Sequence, residues 1–147
     1  MSTRFKMHMV QPEAYTAMRG LEKYLSTSSI GPLQKELIKI RASQINGCAY
    51  CLNMHAIDAR KHGETEQRIY LQSAWREAKN VFTEEEQLML EMTEQITLIH
   101  LNGLSDAVYE RAIALFGEEK TAHIIMTIIT INGWNRMAVS LHMEPEL

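Results

Sequence analysis

Residues Glu118–Pro145 read EEKTAHIIMTIITINGWNRMAVSLHMEP, and the folding of the apolar run from Ile124 to Ile131 decides the class of the whole chain. The run is rich in β-branched residues and would suit a buried strand. Length and company point the other way. The pattern continues without turn signals to Gly133, and no second stretch offers a strand to pair with it. The segment therefore predicts a helix that is apolar almost all round, buried in the core or in a subunit interface. The chain is expected to be all-α.

Working outward, the rest of the sequence breaks into helices at its few glycines and prolines. Pro12 opens PEAYTAMRGLEKYLS, where Tyr15, Met18, Leu21 and Leu25 recur at helical spacing. Gly31-Pro32 starts a second helix with proline at the first helical position, and Leu33, Leu37, Ile40 and Gln44 line one face of it. Asn46-Gly47 is the break before a third helix, from about Gly47 to Lys61, that closes at His62-Gly63. A fourth is expected from Glu66 to Lys79, carrying Ile69, Leu71, Ala74 and Trp75. Thr83 and Glu86 have the capping-box spacing and open a fifth through Leu88, Leu90, Met92 and Ile96 to His100. Ser105 caps a sixth that ends at Phe116-Gly117. The expectation is one compact helical domain of six to seven helices spanning residues 1–147.

Composition narrows the function. The 147 residues are 46% hydrophobic and 22% charged, an ordinary globular mix that excludes disordered and fibrous classes. Net charge is −3 and no large basic cluster occurs, so no nucleic-acid partner is expected. No apolar run is long enough for a membrane span, and MSTRFKMHMVQPE lacks the apolar core of a signal peptide. A cytoplasmic location among reduced thiols follows as the expectation. There, two cysteines three residues apart suggest redox chemistry or metal binding more than a structural disulfide.

Those cysteines sit in KELIKIRASQINGCAYCLNMHA, Lys35 to Ala56. On a helix, residues 48, 51 and 55 fall within a sector of about 60°, and the two cysteine Cα atoms lie about 5 Å apart. That separation suits a disulfide that opens and closes with little backbone movement. His55 follows Cys51 by one turn, and helical side chains lean towards the N-terminus, so its imidazole is directed back at the Cys51 sulfur. Imidazole exchanges protons near neutral pH. Glu36 lies about three turns before the helix break, where a folded-back hairpin would bring it beside His55 as the group that orients the base. The helix dipole would instead make Cys48 the easier thiolate. Spacing favours one sulfur and the dipole the other. Zinc held by Cys48, Cys51 and His55, with Glu36 as a fourth ligand, is the alternative, and a metal-binding or redox-sensing module would be its function. The plainest reading makes the cysteines buried core residues and Glu36 a solvated helix charge.

The pattern of Glu36, eleven residues, Cys48-Ala49-Tyr50-Cys51, three residues and His55 resembles the active-site motif of the alkylhydroperoxidase D-like branch of the carboxymuconolactone decarboxylase family. INGCAYCLNMHA is typical of that branch, and NGWNRMAVSLHMEP near the C-terminus is similar to it, so the likeness runs from about Leu33 to Pro145. It implies an all-helical fold assembled as trimers or hexamers and a thiol-dependent peroxidase with no cofactor. The implied partners are a hydroperoxide substrate and an external dithiol or thiol-protein reductant. It further implies that Cys51 is oxidised to the sulfenic acid, that Cys48 resolves it, and that His55 and Glu36 relay protons. The best-characterised peroxidase of the family carries a second histidine between its cysteines, where this chain has Tyr50, and a phenol is a poor base near neutrality. The decarboxylase branch lacks the cysteine pair, so the resemblance does not extend to lactone decarboxylation.

Of the remaining residues, the glutamates of TEEEQ suit a helix start. His8, His62, His100, His123 and His142 show no partner by spacing and are expected to be structural or superficial, His123 being the one placed to be buried. Trp134 and Arg136 are expected to wall the site or an interface, or to pack around a bend at Gly133. The ten methionines suit adaptable core and interface packing.

Overall fold

A computed structural model describes residues 4–147; the first three residues of the stretch read for a signal peptide lie outside the described residues. The described chain is all-helical, with no strand. In order it runs α1 (Met7–Val10), α2 (Pro12–Ser26), α3 (Pro32–Asn46), α4 (Ala49–Lys61), α5 (Glu66–Leu71), a 3-10 turn (Gln72–Ala74), α6 (Glu84–Thr97) and α7 (Asp106–Ser140). No described helix is long and apolar enough to cross a membrane.

The deciding segment is helical and forms the second half of α7. Its threonines show how a β-branched run lives in a helix. Thr127 and Thr130 turn their hydroxyls back on the carbonyls of His123 and Met126, at 2.8 and 2.7 Å, so neither polar group is left unpaired in the core. Burial is broad but not complete: Ile124, Ile128 and Ile131 are buried while Ile129 and Val139 face outward. Gly117 interrupts α7 with φ 76°, a conformation open to glycine alone at little cost, and the chain resumes its helix directly. Gly133 makes no bend. A Cβ there would meet Met18 Cε at 2.9 Å, so glycine leaves room for the end of that α2 side chain.

α3 is the central post, packed against α4, α6 and α7. Surrounded on three sides, it buries Glu36 through Ile40 together with Ala42 and Ser43, whereas the single face expected from Leu33, Leu37, Ile40 and Gln44 would leave Ile38 and Lys39 out. Leu33 is exposed. The main core joins Ile30 and Ile38 to Leu88, Met89 and Met92 of α6 and to Val108, Ala112, Ile124 and Ile128 of α7. Each such fully buried aliphatic side chain contributes about 1.5–3 kcal/mol.

Other boundaries moved for tertiary reasons. The helix expected over 66–79 stops at Leu71, because Gln72 turns inward to donate to the Leu37 carbonyl and Trp75 drops into a second cluster with Leu37, Phe82 and Leu90. The capping box forms, with Glu86 N–H donating to Thr83 Oγ1 at 3.2 Å and Thr83 N–H to Glu86 Oε2 at 2.8 Å. α6 ends at Thr97 rather than His100, and the chain turns through Asn102 and Gly103 at positive φ. Ser105 caps α7 as expected.

Glu94 ties these pieces together. It accepts from Arg41 Nε at 2.9 Å, from Trp75 Nε1 at 2.8 Å and from Arg76. Burial alone would raise its pKa, but the hydrogen bonds from Trp75 and Arg76 and the Arg41 charge outweigh it, holding the carboxyl below its ordinary range. Removing one member of such a partly buried ion cluster costs about 3 kcal/mol, so Glu94→Ala should lower the unfolding free energy by that order in urea denaturation at pH 7. A depressed folded pKa contributes stability above the unfolded value and loses it as pH falls through the folded one. The gap between wild type and Glu94→Ala should therefore narrow below about pH 4. A gap that holds constant to pH 2 would contradict the assignment.

Candidate active site

The site is built on the turn between α3 and α4. Gly47 takes the left-handed conformation (φ 65°, ψ 32°) after the last turn of α3, and Cys48 N–H donates back to the Ser43 carbonyl at 3.0 Å. Cys48 is thereby extended (φ −87°, ψ 92°) and is the N-cap of α4, not a residue of it. The even helical sector expected for residues 48, 51 and 55 is corrected accordingly. Cys48 Sγ lies over the first turn of α4 and accepts from Cys51 N–H at 3.2 Å. The cysteines are joined as a disulfide with Cα atoms 5.4 Å apart, and both are buried. Ala138 of α7 and Tyr50 pack on the pair.

One turn along α4, His55 Nδ1 lies 2.8 Å from Glu36 Oε2 across the antiparallel α3–α4 hairpin. Both residues are buried, Glu36 to 8% exposure, so it is not the solvated charge that it would be on an isolated helix. An ionised carboxylate at this contact can only accept, and would thereby hold the imidazole proton on Nδ1 and leave Nε2 as the nitrogen able to take another. Cys51, His55 and Glu36 line one open cleft of about 330 Å³, and Cys48 is absent from its wall. Tyr50 and Trp134 also line it, as do Tyr15, Arg19 and Glu22 of α2. A second cleft of about 560 Å³ adjoins it, sharing Tyr15, Tyr50, Met137 and Met143 and walled by residues near both chain ends.

The structure thus brings together all four residues singled out from the sequence. The alternative metal set is not assembled in this disulfide form, where the two sulfurs bond each other, and no described group of three His, Cys, Asp or Glu side chains is arranged to hold a metal. Trp134 walls the cleft and donates to Glu22 Oε1 at 3.1 Å, whereas Arg136 turns away to Asn132. His123 is half-buried, bonds Ser29 Oγ at 3.0 Å and does not line the cleft. His8 and His142 line the larger cleft, His62 closes α4 and His100 lies in the turn after α6.

Sequence reasoning missed Glu22 and Lys39, which form an ion pair at 2.9 Å bordering the cleft. Only the tertiary placement of α2, which packs on α7, pairs them. It also missed Asn46, Asn132 and Asn135, which meet behind the disulfide. The three-residue spacing of the two α7 asparagines within NGWNR was their one visible signal.

In sequence and fold the chain is similar to known proteins. The family model described as the carboxymuconolactone decarboxylase family matches residues 12–94. The uncharacterized protein YdfG of Bacillus subtilis (strain 168) is 44% identical over 141 residues, covering 96% of this chain and 95% of its own. An alkyl hydroperoxide reductase AhpD of Hyphomonas neptunium is 34% identical over 64 residues, covering 42% of this chain and 36% of its own. Among solved structures, a protein of unknown function from Agrobacterium tumefaciens, provisionally assigned to antioxidant defence as AhpD, superposes with a TM-score of 0.94 at 38% identity over 99% of both chains.

Proposed function

This chain belongs to the carboxymuconolactone decarboxylase family, and we propose that within it the protein is an alkylhydroperoxidase-like, thiol-dependent peroxidase. One observation carries the reading: Cys51, His55 and Glu36 share the wall of a single cleft while Cys48 stands bonded behind it. An isolated buried thiol pair would need neither the cleft nor the imidazole–carboxylate pair.

In the proposed cycle His55 Nε2 takes the Cys51 thiol proton, with Glu36 stabilising the imidazolium through Nδ1–H. The Cys51 thiolate attacks one peroxide oxygen, the O–O bond breaks, and the alcohol leaves with the proton returned by His55. Cys51 is then a sulfenic acid. The Cys48 thiol attacks that sulfur, an S–S bond forms and water departs. An external dithiol or thiol protein attacks the disulfide, gives two electrons and two protons, and leaves oxidised. The helix N-terminus supports Cys48 as the thiolate released in that step, since the Cys51 N–H already points at its sulfur. The two forces that conflict in the sequence thereby serve two different steps. The cytoplasm, where such reductants are plentiful, is the proposed location, and a homo-oligomer the proposed state.

The role of Cys51 is tested by trapping. Cys48→Ser protein is given one equivalent of cumene hydroperoxide with dimedone present, and the tryptic peptide is sequenced by mass spectrometry. The label is expected on Cys51. A label appearing instead on Cys48 in the Cys51→Ser variant would reverse the roles, and no label in either would remove the peroxidase reading.

A further inference from the structure

Behind the disulfide lies a polar network that the cycle above does not use. Asn46, the last residue of α3, donates from Nδ2 to the side-chain oxygens of Asn132 at 3.0 Å and Asn135 at 2.9 Å on α7. Asn135 is fully buried and donates in turn to Ser43 Oγ at 3.0 Å, while Asn132 donates to Thr97 Oγ1 at 3.0 Å. The Ser43 carbonyl is the acceptor for Cys48 N–H. Three residues past Asn135 on the same helix, Ala138 packs against both cysteines. A single stretch of α7 therefore grips the Asn46–Gly47–Cys48 turn and presses on the cysteine pair.

Buried amides are costly unless their donors and acceptors are paired, and a helix interface without them could be filled by aliphatic side chains. Here the pairing converges on one turn. We propose that Asn46, Asn132 and Asn135 are positioning residues that hold Cys48 beside Cys51 when the disulfide is open, and so set the reduction potential of the pair. This rests on the redox reading above. When a dithiol opens the disulfide, only noncovalent contacts keep the two sulfurs together. A held turn keeps their effective concentration high and favours closure. A freed turn gives the reduced chain conformational freedom that the cross-linked chain lacks, and favours the dithiol. Because the Cys51 N–H to Cys48 Sγ bond is already made in the disulfide form, the bias comes from that freedom.

The test equilibrates wild type and Asn46→Ala with graded ratios of reduced to oxidised dithiothreitol, alkylates free thiols and counts them by mass. Asn46→Ala is expected to open at about a tenfold lower ratio, a potential about 30 mV less negative. Thermal unfolding of both redox forms separates positioning from general damage: the substitution should destabilise the oxidised form more than the reduced one. Thr83→Ala, which loses the α6 cap far from the turn, should lower the melting temperature with the midpoint unchanged. Equal midpoints for Asn46→Ala and wild type would overturn the inference and leave the peroxidase reading standing. A wild-type pair that dithiothreitol cannot open while the chain stays folded would sink both. Should Asn46→Ala fail to fold, Ser43→Ala, which removes only the hydroxyl that accepts from Asn135, carries the same prediction in the same direction.

Discussion

Cys51→Ser is expected to lower hydroperoxide turnover by at least about 10³-fold, some 4 kcal/mol in barrier, with the fold retained. A serine hydroxyl cannot stand in for a thiolate attacking an O–O bond, and the one remaining cysteine, Cys48, is not in the wall of the cleft. The fold should survive because the lost cross-link closes a loop of only four residues, for which the chain-entropy estimate is about 2 kcal/mol. The change also removes little volume from a site closed by Ala138 and Tyr50. Steady-state turnover with cumene hydroperoxide and dithiothreitol, alongside circular dichroism, measures both effects. Cys48→Ser separates the steps: given one equivalent of peroxide and no added thiol, it should hold Cys51 as the sulfenic acid, where wild type closes the disulfide. Retention of more than a tenth of wild-type turnover by Cys51→Ser would be incompatible with the cycle.

Glu36→Gln is expected to cost about 10²-fold in kcat/KM and His55→Gln about 10²–10⁴-fold, the range for a positioned acid–base group. The glutamine keeps an oxygen for His55 Nδ1–H but removes the charge that stabilises the imidazolium, so its effect should be the smaller. If the two act as one unit across their 2.8 Å contact, the double variant should lose no more than His55→Gln alone. Additive losses would mean that Glu36 and His55 serve separate roles. The assay is peroxide consumption at fixed dithiol, with the same variants checked for retained helicity, since leaving one partner of a buried polar pair unmatched also affects stability.

Helical geometry made much of this readable in advance. The four-residue spacing of Cys51 and His55 places them one turn apart on α4, and the cysteine Cα separation of 5.4 Å is close to what periodicity implies although Cys48 caps the helix from outside. Glu36 was legible only as a candidate. Its pairing depends on α3 folding back beside α4, a consequence of Gly47 adopting a positive φ. Where expectation and structure part, a tertiary demand overrode a local one. Trp75 and Gln72 turned inward and cut α5 short, and three neighbouring helices buried α3 beyond its predicted face.

The sequence by itself determined the all-helical class, the helix breaks at Gly47 and Gly117, the caps at Thr83 and Ser105, and the dithiol with its histidine. All of these follow from interactions within one or two turns, where residue identity nearly fixes the backbone. The left-handed turn at Gly47, a local feature, makes Cys48 the cap of α4 instead of a residue within it, whereas tertiary structure alone decided that Cys51 faces the cleft. It alone brought Glu22 to Lys39, and three asparagines to the turn that holds Cys48. These are pairings between groups 17 to 89 residues apart, set by which surfaces the helices bury against one another, and no local periodicity encodes them.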